Sequence, residues 1–529
     1  MAKSTKSKET KARKKRSEKL RNELEALRSE NKSLRSENKA LRRNNKDLMN
    51  KNEKLELNCN NLKNERDLLK RANKSLTQRL ATSKAKVAQY RAEERKRATE
   101  CGAKSESIRV NNEHVERHHF STMTIILATE LFSRLNIGSR QVVKVFEILH
   151  EVCGEIFEEV PAYTTIIYWA ERLGLSAYKD THKKFADKEY ALIVDESMMI
   201  GSEKLLLTLA VPAEHNGAAI TEKDTTIVDI SVGKSWNGEK IKEVLEKVSA
   251  KIGHEPEYVI SDNGSTIRKA VREAGYKHHL DISHSLAMFL ERVYKKETDF
   301  QELSEKVQMA QLKYNMQEVA YLQPPSQRAI ARFMNMSRCS RWLSRMQFVY
   351  HKFPDNVKRI YEFIPRNASL INELSEVMDC ITRIEKDVKT NGMSNEVGCR
   401  CRQLVVRTLM CGNERQRKLG AYILEYFDRE LSFVNGNACH NASSDPVESA
   451  FGVIKSRMPD NKLVGVSPII LIMPLRFSLA NHDARPKFDF KGRLERGRHC
   501  HLKEWKDENL SPNLAVKRSK TIGKRCVGF

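Results

Sequence analysis

The sequence lacks several features that would place the protein in familiar classes. None of its 11 cysteines forms a CxxC pair, which argues against zinc ribbons and thioredoxin-like redox centres. No apolar run approaches the about 20 residues needed to cross a bilayer, and the run 469–473 is far too short. The odd cysteine count and the lack of a signal peptide predict reduced thiols, a cytoplasmic location and no membrane partner.

Acidic residues are too few to balance the basic ones. The 529 residues include 94 Lys and Arg against 69 Asp and Glu, a formal net charge of +25. This excess favours a polyanionic partner, of which nucleic acid is the commonest. A basic but inert surface is the alternative, because charge alone does not separate the two. The length allows several domains.

Leucine recurs every seven residues from Leu20 to Leu76, which is nine consecutive heptads. With leucine at the d positions, asparagine fills most a positions, a pattern that specifies a parallel, in-register dimer. Five pairs of opposite charge would join two identical chains: Glu23–Arg28, Glu30–Arg35, Glu37–Arg42, Lys51–Glu56 and Glu65–Lys70. Residues 20–100 therefore resemble a leucine-zipper coiled coil and predict a homodimer. The basic arm 1–19 either touches phosphate or only solubilises the chain.

Three short amphipathic segments between 115 and 180 fit a helix-turn-helix domain. The predicted helices are Thr122–Leu135, Arg140–His150 and Ala162–Leu173, with Gly174 as the stop of the third. Its segment 164–169 resembles a recognition helix of bacterial transposases. The resemblance implies that Thr164, Thr165 and Tyr168 face the DNA groove. A plain three-helix packing domain is the alternative.

The pattern between 188 and 295 changes to α/β, in the order β-β-β-α-β-α-β-α. The predicted strands are Tyr190–Val194, Leu205–Val211, Thr225–Ser231, Tyr258–Ile260 and His279–Ile282, and the predicted helices are Gly238–Ile252, Ser265–Ala274 and Ser285–Tyr294. Three adjacent strands followed by crossover units indicate an RNase H-like topology, in which strands one and four are neighbours. Asp195 ends strand one and Asp262 ends strand four, so their carboxylates should converge at one edge of the sheet.

Two converging carboxylates repel, and a divalent cation between them relieves the repulsion. Phosphodiester cleavage uses two such cations about 4 Å apart, and oxygen ligands favour Mg²⁺ or Mn²⁺. Asp195 and Asp262 are thus candidate catalytic and metal ligands. Asp224 and Asp229, near strand three, are weaker candidates.

The third carboxylate is expected on a helix after the fifth strand. Residues 296–435 are predicted to be a helical insertion, and 436–482 the last part of the core. There Glu448 is the candidate third ligand, with Lys455 two helical turns on as a cation over the phosphate. The competing local interpretation is a capping box, with Asp445 as N-cap and Glu448 as its partner.

A cluster of cations around an aromatic ring stands within the insertion. Arg338, Arg341 and Arg345 surround Trp342, a pattern that can support stacking on a distorted DNA end. A core tryptophan beneath arginine side chains is the alternative. Residues 483–529 are predicted to be a basic C-terminal tail.

Over about 160–480 the chain resembles a DDE-type bacterial insertion-sequence transposase. The resemblance rests on Asp195, Asp262 and Glu448, with Lys455 seven residues after the last. Asp281-Ile282-Ser283-His284 resembles the [C/D]xxH signature of such families, which implies that Asp281 and His284 lie near the active site; an ordinary strand-end histidine is the alternative. The family implies an α/β RNase H-like core with a helical insertion, two Mg²⁺ or Mn²⁺ ions, transposon-end and target DNA as partners, and association with the bacterial nucleoid.

Two rival functions remain open at this point. One is a DNA-binding regulator built on the zipper and the helix-turn-helix, with an inactive transposase domain. The other is an RNase H-like nuclease without strand transfer.

Overall fold

A computed structural model describes residues 15–37, 39, 49, 114–116, 118–153, 159–196, 199–200, 203–313, 320–325, 333, 336–457, 465–481, 485–511 and 519. The chain divides into two compact units, Met1–Val110 and Asn111–Phe529. In the first unit, residues 15–37 are one helix whose zipper leucines Leu20, Leu24, Leu27 and Leu34 are about half exposed in the single chain. Most of the predicted zipper and of the basic arm lies outside the described residues.

A five-stranded mixed sheet forms the centre of the second unit. Its strands are β1 (Tyr190–Glu196), β2 (Lys204–Pro212), β3 (Thr226–Gly233), β4 (Tyr258–Ser261) and β5 (His278–Leu280). Their order is β3-β2-β1-β4-β5, with β1–β2 and β2–β3 antiparallel and β1–β4 and β4–β5 parallel. The predicted strands and the predicted contact between strands one and four are confirmed. Residues 190–194 are buried because helices cover both faces of the sheet.

Seventeen α-helices lie in the described part of this unit. They are α1 (Thr122–Ser133), α2 (Ser139–Cys153), α3 (Tyr163–Asp180), α4 (Gly238–Ile252), α5 (Ser265–Glu273), α6 (Ile282–Tyr294), α7 (Thr298–Lys313), α8 (Met336–Val349), α9 (Asp355–Ile360), α10 (Phe363–Arg366), α11 (Ala368–Asn391), α12 (Asn395–Thr408), α13 (Glu414–Leu431), α14 (Asp445–Lys455), α15 (Ile472–Ala480), α16 (Phe490–Arg496) and α17 (His499–Asn509).

The helices divide between the two faces of the sheet and an inserted bundle. Helices α4 and α5 bury apolar side chains against one face, and α14, α15 and α17 do so against the other. Helices α7–α13 follow α6 in the chain and enclose a core of their own with α6, as the helical prediction for 296–435 expects. The insertion separates α6 from α14 along the chain, so residues on these two helices are far apart in the sequence.

Helices α1–α3 do not form a core of their own. Trp169 and Leu173 of α3 are buried in one cluster with Leu475 of α15 and Leu494 of α16. Helix α3 also continues to Asp180, so the predicted stop at Gly174 is wrong. A Cβ at Gly174 would stand 2.0 Å from the carbonyl oxygen of Leu471, so glycine here permits a close contact between backbones rather than a helix end.

The prediction of a basic tail from residue 483 is wrong for the segment 485–511. This segment contains α16 and α17, and Leu494, Leu502 and Trp505 are buried. The segment is rich in charge, but its few apolar residues recur at helical spacing and cover the core.

No helix among the described residues combines the length and the apolar character that a bilayer crossing requires. Seven cysteines in the described part of the second unit are free thiols. Three of them, Cys339, Cys380 and Cys401, are buried in the inserted bundle.

Candidate active site

Asp195 and Asp262 lie at the same edge of the sheet. Asp195 is near the end of β1 and Asp262 follows β4, and the parallel pairing sets Val194 opposite Ser261. Each carboxylate is fixed by a backbone amide: Asp195 Oδ1 accepts from the Glu196 amide at 2.7 Å, and Asp262 Oδ1 from the Gly264 amide at 3.0 Å. The convergence expected from the two strand ends is therefore present.

The electrostatics of this edge are those of an acid-rich site. Burial, together with the negative charges of Asp262 and Glu448, raises the pKa of Asp195 to about 7, against the lowering effects of the Glu196 amide and the charge of His284. Asp195 therefore interacts electrostatically with both of the other predicted acids. An added cation would favour the ionised form of Asp195.

Asp281 connects the sheet edge to the helix that carries Glu448. Its side chain is only 1% exposed. Oδ1 accepts from the amide of His284 at 2.7 Å and from its Nδ1 at 3.0 Å, and Oδ2 accepts from the amide of Ser444 at 2.7 Å and from its hydroxyl at 3.0 Å. Burial would raise the pKa of Asp281, but the hydrogen bonds and charge of His284 and the Ser444 amide hold it below its usual value. An ionised Asp281 therefore joins the starts of α6 and α14.

His284 lies between Asp281 and Glu448. Its Nδ1 faces Asp281, and its Nε2 is 3.6 Å from Glu448 Oε1. The hydrogen bond to Asp281, together with the charges of Asp281, Glu448 and Asp262, raises the pKa of His284 to about 9 against the effect of burial. The imidazole is therefore a cation at neutral pH, with both nitrogens donating.

The predicted capping box at Glu448 is wrong. Ser444 is the N-cap residue, Asp445 is already helical, and no side chain caps the helix. Glu448 instead lies beside His284, with 3.6 Å between its Oε1 and the imidazole Nε2. Its side chain is half exposed, and burial together with nearby acids raises its pKa, while His284 and Lys389 lower it.

Lys455 ends the same helix, exposed and without an ion pair to any residue that the structure describes. It stands about 10 Å beyond Glu448 along the helix axis. Glu196 turns away from the acid cluster and pairs with Lys204.

The donor set suits a hard divalent cation, because it consists of carboxylate oxygens with an excess of negative charge. Within the described ranges, however, no three His, Cys, Asp or Glu side chains already stand in the arrangement of a metal site. Asp195 and Asp262 each accept a hydrogen bond from a backbone amide, whereas the half-exposed Glu448 lies beside His284. Asp224 and Asp229 lie apart from this edge: Asp224 caps a turn at Thr221, and Asp229 bonds to Tyr178 and Ser231.

The predicted groove-facing residues of α3 differ in environment. Thr164 is exposed and Thr165 is half-buried at the start of the helix. The Tyr168 ring packs instead against other parts of the protein, 5.3 Å from the Arg172 guanidinium and 5.8 Å from the His499 ring. Tyr168 is only partly buried, so its contact with a DNA groove stays a prediction, although His499 of the C-terminal segment lies beside its ring.

The arginines and the tryptophan of the cation cluster on α8 also differ in exposure. Arg338, Arg341 and Arg345 are exposed. Trp342 donates from its indole nitrogen to the Leu322 carbonyl at 3.1 Å and packs edge-on against Tyr361 at 6.1 Å. The core-tryptophan alternative is the one observed, so a stacking role for Trp342 is not supported.

Sequence reasoning missed the role of Ser444 and a buried polar network beside the sheet. His279 is 2.6 Å from Glu430 and 2.8 Å from His440, and all three attach the end of α13 and the segment before α14 to β5. Glu430 and His279 are 151 residues apart, so no local signal could have found this contact.

Comparison with models of protein families finds no match for the chain, and comparison with curated proteins finds none either.

Proposed function

We propose that this protein is a DDE-type DNA transposase with an RNase H-like catalytic core. The observation that carries the proposal is the meeting of Asp195 and Asp262 at adjacent ends of parallel strands, with Asp195 also interacting electrostatically with Glu448. The strand order supports the fold part of the proposal. The reaction is metal-dependent cleavage of DNA at terminal inverted repeats and joining of the 3′-hydroxyl ends to target DNA.

The chain's own residues would act as follows. Asp195, Asp262 and Glu448 would hold two Mg²⁺ or Mn²⁺ ions, which when bound activate the attacking oxygen and stabilise the leaving oxygen. Asp281 orients His284 and the start of α14, which fixes the position from which Glu448 reaches the site. His284 and Lys455 contribute positive charge where a DNA phosphate would lie.

DNA binding and pairing of two protomers belong to the same proposal. Thr164, Thr165 and the exposed Arg338, Arg341 and Arg345 are candidate DNA contacts, and the exposed zipper leucines support a homodimer that brings two DNA ends together. We place the protein on the bacterial nucleoid in the cytoplasm as part of this proposal.

A DNA-binding regulator with an inactive catalytic domain is the second candidate. The observation in its favour is that the described residues contain no preassembled group of three metal ligands. An RNase H-like nuclease that cuts without joining shares the acid site, and only a joining assay separates it from the transposase.

The substitution Asp195→Asn separates these functions. We expect cleavage of the DNA flanking the gene, in Mg²⁺ or Mn²⁺, to fall by about 10³-fold or more because the central metal ligand loses its charge. The affinity for DNA should stay within about twofold of the wild type, because Lys and Arg side chains supply most of that affinity and Asp195 is a partly buried acid. Cleavage on labelled DNA and binding by mobility shift are measured in parallel.

Asp224→Asn is the matched control and should cleave at the wild-type rate, because Asp224 only caps an exposed turn. A wild-type protein that binds but never cuts would support the regulator instead. Cut ends that are never joined to supplied target DNA would support the nuclease.

A further inference from the structure

A basic cavity of about 450 Å³ lies beside α5 and the C-terminal end of α13. Its cationic lining consists of Arg268, Lys269, Arg272 and Arg429, with His278 at the wall. No acidic side chain is among the lining residues. An entering anion therefore meets several positive charges, and the carboxylates that pair with Lys269 and Arg429 lie outside the lining.

Two of these cations have no ion-pair partner among the residues that the structure describes. Arg268 and Arg272 are exposed and form no ion pair with any residue in the described part of the protein. They are four residues apart on α5, so they project from the same helix face. Lys269 is only loosely paired, 3.7 Å from Glu273.

Arg429 supplies a guanidinium that is fixed in place. It donates to the His278 carbonyl at 2.7 Å, pairs with Glu430 and lies 5.5 Å over the Phe433 ring. Burial, together with the charges of Arg429, His279 and Arg268, lowers the pKa of His278 to about 3. The neutral His278 bonds to the Ser261 hydroxyl, so the positive charge here belongs to the arginines and the lysine.

The cavity is also close to the candidate active site along the chain. Helix α5 begins at Ser265, three residues after Asp262, and its nine residues span only about 14 Å. Successive phosphates of one strand advance by about 3.4 Å along a DNA duplex. A strand passing the acid edge would thus reach the cavity within a few nucleotides.

We infer that this cavity binds a backbone phosphate of the DNA strand beside the cleavage point, through Arg268 and Arg272 with Arg429 at its base. Guanidinium groups match phosphate geometry through paired hydrogen bonds. The inference rests on the proposed function, and it adds a contact that neither the sequence motifs nor the predicted helix-turn-helix supplies.

The test compares Arg268→Gln/Arg272→Gln with the control Arg407→Gln/Arg417→Gln in the full-length protein. The control removes the same charge from exposed positions, and Arg417 is about 18 Å from Arg429 along α13. Binding to uncut duplex DNA of random sequence is measured without divalent metal at several salt concentrations. Each lost phosphate contact lowers the magnitude of the slope of log affinity against log salt by about 0.9. We therefore expect this slope to fall by about 2 in the cavity variant and by less than about 0.5 in the control.

Equal losses in both variants would overturn the inference, since they would reflect general surface charge. A second arm titrates inorganic phosphate: phosphate binding that the cavity variant loses while its DNA slope is unchanged would assign the cavity to a free anion and overturn the inference too. Because these measurements need no cleavage, a wild-type protein that shows the expected slopes but never cuts DNA would refute the transposase proposal and leave the phosphate contact standing.

Discussion

At the scale of single residues, Asp281 is the group on which the geometry of the site depends. It is a buried negative charge that accepts four hydrogen bonds from two segments. Such a charge is stable in the interior only while its donors stay in place.

The substitution Asp281→Asn should lower the free energy of unfolding by about 2–4 kcal/mol, because hydrogen bonds to a charged group are lost and the new amide group faces donors. Urea unfolding checks this. Asp507→Asn, on the exposed side of α17, is the control and should stay within about 0.5 kcal/mol of the wild type. If both variants unfold alike, Asp281 does not tie the two segments together.

The residue-level predictions succeeded where backbone topology alone decides the outcome. Asp195 and Asp262 follow buried apolar strands, so their meeting could be inferred from strand order. Ser444 and Tyr168 depend on which distant segment packs against them, and that information is not local. The sequence around Glu448 matches a capping box, but in the structure Ser444 is the N-cap residue and it bonds to Asp281.

At the scale of elements, α3 is the helix that packs α1 and α2 against α15 and α16 within the second unit. Its Gly174 permits the backbone of Leu471 to approach. We expect Gly174→Ala to lower the free energy of unfolding by at least about 2 kcal/mol, because the new methyl would overlap a carbonyl that cannot rotate away.

Gly452→Ala in α14 is the matched control for this prediction. A Cβ there meets nothing within 4 Å, so alanine should stabilise the protein by about 0.5–1 kcal/mol through its helix preference. Thermal or urea unfolding of the two variants gives the comparison. A Gly174→Ala protein as stable as the wild type would mean that the close contact is not maintained.

Most elements could be predicted because their apolar residues recur with a clear period. The strands were identified to within a few residues, since each is an almost continuous apolar run bounded by polar turns. Helices α16 and α17 were missed because each buries only two apolar residues among many charges. Their helical state depends on the core beneath them rather than on local preference.

At the scale of the whole molecule, the exposed leucines of residues 15–37 call for a partner helix. We expect the full-length protein to sediment as a dimer and Leu27→Lys/Leu34→Lys to shift it toward monomer, because charge at d positions opposes the zipper. Ser29→Lys/Ser36→Lys adds the same charge at outward-facing positions of this helix and should leave the dimer intact. A dimer unaffected by the leucine substitutions would locate the association elsewhere in the chain.

The span between Asp281 and Ser444, 163 residues, has a consequence for the protein during its synthesis. A ribosome that has released the strands bearing the first two acids has yet to translate the third. Closing so long a loop is entropically costly and comes late in folding. A nascent or prematurely terminated chain is therefore expected to lack the contact between Asp281 and Ser444, and with it the complete candidate acid site.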